Sequence, residues 1–343
     1  MKDYRETMKD LSFTQEQKSA MIEDLLTAAR PTKRGASPRR ALAIAAAAAM
    51  LTLAVTAGAT GVLPSARDVF SSLFGGDPAQ TEIIDQIGHP IGASHTADGF
   101  TITADAIIGD AYNYIVIYSI QREGGTPMPA LNYGQEASDP YQSYRLNQDP
   151  QYVFFDADPS DPSIQFKYSV SAPKGIKKGP VVVQLQDLVL LTGSNGTEEE
   201  TLLAAGPWEL SYDLDYEDAS LSLTEGDIVH HNGADLTLSS VVLSPLSLHV
   251  AYSLDFEVDT SIHGDPFDNT EDTPMDRYVD SLPLVLTLTD GTRKELTEES
   301  VSTIGSKQGK TNVSKTARFS DILPLDTIES ITIGDLTIPV ESP

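Results

Sequence analysis

Apolar and polar residues follow three patterns along this chain, and each predicts a different kind of structure. From Ala41 to Leu63 there is no alternation: ALAIAAAAAMLTLAVTAGATGVL carries no charge. A helix rises about 1.5 Å per residue, so this run reaches roughly 34 Å and can cross a hydrocarbon core of about 30 Å. Before it the period is helical. Tyr4, Met8 and Leu11 fall on one face, and Thr14-Gln15-Glu16-Gln17 reads as a capping box. The helix it starts carries Met21, Ile22, Leu25 and Leu26 on one side and ends near Arg30, because Pro31 disfavours helix in the residue before it.

After the apolar run, Ser65 to Gly76 (SARDVFSSLFGG) places Val69, Phe70, Leu73 and Phe74 on one helical face. From there on the period is two. GFTITADAIIGDAYNYIVIYSI (99–120) aligns without gaps to GADLTLSSVVLSPLSLHVAYSL (233–254), an offset of 134 residues. Tyr112, Tyr114, Val116, Tyr118 and Ile120 correspond to Leu246, Leu248, Val250, Tyr252 and Leu254, one buried face of a strand in each copy. In the preceding strands Phe100, Ile102, Ala104, Ala106 and Ile108 correspond to Ala234, Leu236, Leu238, Ser240 and Val242, which predicts an unbroken alternation there too.

Polar loops follow at about 122–150 and 259–281. Strand patterns then resume at 152–155, 164–170, 181–191 and 208–214, and at 284–289, 293–296, 317–319 and 330–338. Short alternating strands separated by Gly, Pro, Asn and Asp predict a mainly β protein. The expected layout is a short α-helical head (1–30), a basic linker (31–40) and one transmembrane helix (41–63). A juxtamembrane segment (64–79) leads into two tandem antiparallel immunoglobulin-like β-sandwiches at 80–216 and 217–343.

Charge fixes the expected orientation. Before residue 41 there are 9 Lys and Arg against 6 Asp and Glu, a net of +3; the rest holds 14 against 44, a net of −30. Lys33, Arg34, Arg39 and Arg40 precede the span and Arg67 alone follows it closely, so the positive-inside rule keeps the N-terminus in the cytoplasm and exports the body. Ala57-Gly58-Ala59 offers a signal-peptidase pattern, but the forty residues before the run exceed an ordinary leader. An acidic body excludes nucleic acid and anionic lipid as natural partners. Cysteine is absent, which excludes disulfides and thiolate zinc.

Catalytic chemistry is hard to find. No histidine has metal-ligand spacing, and His249, opposite the apolar stripe of its strand, is expected to be solvated. Asp156, Asp158 and Asp161, and the cluster Asp265, Asp268, Glu271 and Asp272, lack the EF-hand spacing and read as solvated turns. No catalytic, metal-binding or cofactor-binding residue is assigned, and the chain is expected not to be an enzyme. The head is too short to fold alone, so Met8, Leu11, Met21, Ile22, Leu25 and Leu26 are the candidate contacts to a cytoplasmic protein, with the inner leaflet as the competing surface.

SFTQEQKSAMIEDLL at 12–26, the single span, the Val69-Phe70…Leu73-Phe74-Gly75 segment and the hairpin DGFTITADAIIGDAYNYIVIYSI at 98–120 resemble bacterial membrane proteins carrying the domain of unknown function 4179. The resemblance covers about the first 120 residues, and the second copy is similar to the immunoglobulin-like domain that often follows. It implies a layout like that of membrane-spanning anti-sigma factors, in which cytoplasmic helices hold an extracytoplasmic-function sigma factor and the exported part receives a signal. The Cys/His zinc motif of the best-known anti-sigma heads is missing here. A structural or adhesive surface module with a passive anchor is the alternative.

Overall fold

The computed structural model describes residues 63–341 except 75–77, 135–138, 148–151, 157, 159–160, 195–196, 260–272 and 297–299. The head, the linker and the apolar run up to residue 62 lie outside the described residues. Among the described residues no helix is long and apolar enough to cross a membrane.

Chain 63 onward forms one unit. It opens with helix α1 (Ala66–Phe74). Ser65 caps it reciprocally: its Oγ accepts from Asp68 N at 3.2 Å, and Asp68 Oδ2 accepts from Ser65 N at 3.2 Å. A second helix, α2 (Pro78–Ile87), was not signalled by the sequence pattern. Phe70 of α1 and Ile84 and Ile87 of α2 are buried together with Ala106, Ile108 and Ile117, so the helices cover one face of the first sheet.

The rest is antiparallel β. Copy one comprises β1 (His89–Ala97), β2 (Phe100–Gly109), β3 (Asn113–Arg122), β4 (Tyr141–Arg145) and β5 (Tyr152–Phe155). It continues with β6 (Ser163–Ser171), β7 (Gly179–Leu185), β8 (Leu188–Ser194), β9 (Thr197–Ala204) and β10 (Trp208–Leu214). The main sheet has the order β1-β2-β3-β6-β5, accompanied by the pair β10-β7 and the three strands β4-β8-β9. Tyr118 of β3 meets Tyr212 of β10 hydroxyl to hydroxyl at 2.5 Å, and Trp208 donates its indole N–H to Phe100 O at 2.9 Å. Both bonds tie the β10-β7 pair to the main sheet. The single strand expected over 181–191 is two, because Asp187 turns the chain at φ 52° between β7 and β8.

Copy two comprises β11 (Leu221–Thr224), β12 (Ile228–His231), β13 (Ala234–Leu243), β14 (Ser247–Leu254) and β15 (Leu284–Leu288). It ends with β16 (Arg293–Glu295), β17 (Ser300–Lys307), β18 (Lys310–Arg318), β19 (Ile328–Ile333) and β20 (Leu336–Pro339). One sheet runs β11-β13-β14-β18-β17, with β12 also on β13; the other runs β16-β15-β19-β20. Leu236, Leu248, Val250 and Leu254 from the first and Leu284, Leu286, Ile331 and Ile333 from the second share one core.

The two copies repeat a defect as well as a pattern. In β2 the pairing slips between Ala104 and Ala106, and in β13 between Leu238 and Ser240, so the inserted residues, Asp105 and Ser239, are again 134 apart. A bulge of one residue exchanges the two faces of the strand beyond it. The unbroken alternation expected from the sequence is therefore corrected: Val241 and Leu243 are buried in copy two, while Ser240 and Val242 are only half-buried. In copy one Ala106, Ile107 and Ile108 are all buried, because the helices cover the second face.

Candidate functional site

The turn between the repeat strands is built the same way in both copies. Asp110 N donates to Asn113 O at 2.8 Å, and Ser244 N to Ser247 O at 2.9 Å. A side-chain oxygen at the first position caps each turn. Asp110 Oδ1 accepts from the amides of Tyr112 and Asn113, both at 2.7 Å. Ser244 Oγ accepts from those of Leu246 and Ser247, at 3.0 and 2.9 Å. Short polar residues favour such turns because their side chains replace a backbone acceptor.

The two turns then meet. Ser244 Oγ donates to Asp110 Oδ2 at 2.5 Å, and Ser247 Oγ donates to the same oxygen at 2.7 Å. Asn113 Nδ2 donates to Ser247 Oγ at 2.8 Å, and Asn113 Oδ1 accepts from Ser171 Oγ at 2.7 Å. Asp110, Asn113, Ser244 and Ser247 are all buried. Hydrogen bonds satisfy both side-chain oxygens of Asp110, as a buried polar group requires.

Apolar and aromatic contacts extend the junction. Leu246 enters the core that α1 and α2 share with the first sheet. His249 is 2% exposed and lies flat on Tyr112, with ring centroids 3.5 Å apart. Its Nδ1 lies 2.9 Å from Thr316 Oγ1, and burial pulls its pKa down to about 4, so the imidazole is neutral. The expectation of a solvated His249 is thus overturned. The side chain does point away from its own copy's core, but the surface it meets is copy one.

Beside this junction lies a groove of ≈ 900 Å³ with walls from both copies. Ile115, Val153 and Lys167 line one wall, and Val301, Arg318 and Phe319 the other. Arg318 Nε is shut off from solvent with no hydrogen-bond partner, and among the described residues no carboxylate forms an ion pair with Arg318. In a chain of net charge −27 that is an unusual cation. Nothing in the sequence marked it, since the groove exists only where strands distant in sequence converge.

Other histidines and the acidic turns are separate from the groove. His230 Nδ1 pairs with Asp235 at 2.7 Å on the surface, and His231 Nε2 lies 3.0 Å from Ser281 Oγ. Asp161 caps a turn, accepting from Ser163 N at 2.6 Å. The second acidic cluster, His263 and all six head residues (Met8, Leu11, Met21, Ile22, Leu25 and Leu26) lie outside the described residues. Among the described residues no group of three or more His, Asp or Glu side chains is arranged to hold a metal. Lys315 was not anticipated. It is fully buried, its pKa lowered by burial, and it donates to Val279 O at 3.0 Å and Asp280 O at 3.3 Å. It thereby caps the last carbonyls of the short helical turn Asp276–Asp280.

Comparison with known protein families gave no match, and comparison with curated proteins gave none either. A crystal structure described as a conserved domain protein from Bacillus anthracis is similar over 69% of this chain and 73% of that one, at 14% identity and a TM-score of 0.32. A likeness of that size carries no functional argument.

Proposed function

We propose that this chain is a non-enzymatic, single-pass membrane regulator of the kind that the domain of unknown function 4179 resemblance implies. Residues 41–63 cross the membrane, and the helical head holds a cytoplasmic partner, an extracytoplasmic-function sigma factor, through Met8, Leu11, Met21, Ile22, Leu25 and Leu26. The exported body, read as two immunoglobulin-like sandwiches, binds an envelope ligand. Each copy contributes more than one antiparallel sheet, which supports the sandwich reading.

The observation that carries the proposal is how soon the folded body begins. Ala66 and Phe70 are buried in the core shared by the helices, the first sheet and Leu246 of copy two. Only Pro64 and Ser65 separate that core from the end of the apolar run. A rearrangement of the body therefore reaches the membrane-proximal residues with no slack chain to absorb it, as a relay requires.

Co-purification of residues 1–40 with the sigma factor encoded nearest the gene tests the reading. A stoichiometric complex, abolished when Leu25 and Leu26 are both replaced by Glu while export of the body continues, is the expected result. No complex with an intact peptide, or binding unchanged in the double variant, overturns it.

A further inference from the structure

We propose that the groove between the copies binds an extended acidic peptide, with Arg318 taking a carboxylate and the open edge of β17 supplying main-chain hydrogen bonds. This deepens the ligand-binding half of the function proposed above and rests on it only for where the peptide is met.

The position of the groove is the first observation. Ligand sites favour interfaces between packed units, and volumes of about 300–1,000 Å³ are typical of them. This one measures ≈ 900 Å³, and its walls come from both copies. The turn latch beside it fixes their separation, since Asn113 belongs to both the latch and the groove lining.

Charge is the second. A guanidinium presents a rigid fork of donors that matches a carboxylate, and it is costly to leave such donors buried and unpaired. Arg318 lines the groove, with its Nε turned away from solvent and the guanidinium left to meet a carboxylate from the groove side. Lys167 lies on the facing wall, and Asp321 on the rim opposes the charge of Arg318. An anionic ligand is selected at this spot although the protein as a whole repels anions.

The third is the strand edge. β17 pairs with β18 and ends its sheet. Among the described residues no backbone group bonds to Val301–Lys307 from the outer side. An exposed edge is a template for an added strand, in which backbone bonds give affinity and alternate side chains give specificity. Val301 pairs with Thr316, two residues before Arg318, so Val301, Thr316 and Arg318 share the sheet face that looks toward copy one. A strand running antiparallel to β17 brings its C-terminal end to Ser300, beside Arg318. That end of the peptide is where the acidic group belongs.

Apolar groups complete the choice of ligand. Ile115, Val153, Val301 and Phe319 suit side chains alternating along a strand. A polysaccharide would have no use for the open edge, so the peptide is the favoured occupant.

Binding of fluorescein-labelled heptapeptides to the full-length chain in detergent micelles tests this. The probe pool has Glu at the last two positions and mixed residues elsewhere; a second pool has Lys there, and a third has the Glu pair with N-methylated backbone. Saturable binding of the Glu pool, at least tenfold weaker for the Lys and N-methylated pools, is expected. Arg318→Gln should weaken the Glu pool at least tenfold with an unchanged melting temperature, and Asp321→Asn should tighten it several-fold. No saturable binding, or Arg318→Gln indistinguishable from the natural chain, overturns the proposal. So does Arg318-dependent binding of an oligogalacturonate in place of the peptides. Because only groove binding is read, a failure here is independent of whether the head binds a sigma factor.

Discussion

Asp110 and Ser244 hold the same place in the repeat, 134 residues apart, and their side chains are joined by a hydrogen bond of 2.5 Å. Each caps its own hairpin turn and then contacts the other's. The copies thus dock turn against turn, with different residue types at the equivalent position: a side chain whose oxygens accept in copy one, and a hydroxyl that donates in copy two. Two identical turns could not do this. Two aspartates would repel, and two serines would leave fewer acceptors for the amides of both turns.

Replacing Asp110 tests how much of the body's stability lies in that meeting. Asp110→Ala strands the hydroxyls of Ser244 and Ser247 and the amide of Asn113 in a buried site, and the amide of Tyr112 at its half-buried edge. Orphaned buried donors cost about 1–3 kcal/mol each where they find no substitute, so a total loss of about 3 kcal/mol or more is expected in urea unfolding. Asp110→Asn retains one acceptor oxygen and should lose less. Equal losses for the two variants would show that the carboxylate is not what joins the copies.

The sequence disclosed these turns only in part. Gly109-Asp110 and Ser244-Pro245 are turn-forming dipeptides between the paired strand patterns of 99–120 and 233–254, and the offset of 134 ties them together. That they touch was not legible, because local periodicity carries no information about which turns pack. The same limit applied to His249, whose position opposite the stripe of Leu248 and Val250 was clear while its covering by Tyr112 was not. The bulge residues Asp105 and Ser239 were hidden for another reason: one inserted residue leaves composition and spacing intact and changes only the register. β17 was missed because SVSTIGSK lacks a strong alternation, as suits an edge with both faces partly open. Arg318, with Val301 on one strand and Ile115 and Val153 on others, became a site only through tertiary convergence.

The buried His249 makes a pH prediction. In the unfolded chain an imidazole takes up its proton near pH 6.5, whereas in the fold it does so near 4. Between those values the unfolded chain binds more protons, so stability falls as pH drops from about 6.5 to about 4 and changes no further below that. The whole loss from this group is about 3 kcal/mol. His249→Phe keeps the stack on Tyr112 and removes the titration. Thermal unfolding at pH 7 and pH 4.5 should show the natural chain losing stability relative to the variant; parallel losses would place the ring in solvent.

Asp105 works in the opposite direction. Burial pushes its carboxyl up to about 7, against an ordinary value of 3.8, while the bond from Ser119 Oγ at 3.1 Å offsets part of that. The folded state therefore keeps the proton longer than the unfolded chain. Stability from this group is full below about pH 4, falls as pH rises through 7, and stays low above. Asp105→Asn should be more stable than the natural chain at pH 8 by up to about 4 kcal/mol and close to it at pH 4. Urea midpoints at the two pH values decide it, and an advantage equal at both would exclude ionisation as the cause.

Gly109 shows how little room the junction leaves. A Cβ at this position would lie 2.6 Å from Tyr216 Cζ and 2.7 Å from its Cε2. The ring cannot swing aside freely. Tyr216 is 1% exposed, its hydroxyl donates to Asp110 O at 3.0 Å, and Lys178 Nζ sits 4.4 Å from the ring centroid. Gly109→Ala should thus force the ring off its bond to the turn that carries Asp110, at a cost of about 2 kcal/mol. Tyr216→Ala alone should destabilise by opening a cavity, but it also clears the space that the new methyl needs. The double variant should therefore lose clearly less than the two single losses combined, since residues in contact do not act independently. Additive losses in urea unfolding would mean that Gly109 is required for some reason other than the approach of Tyr216.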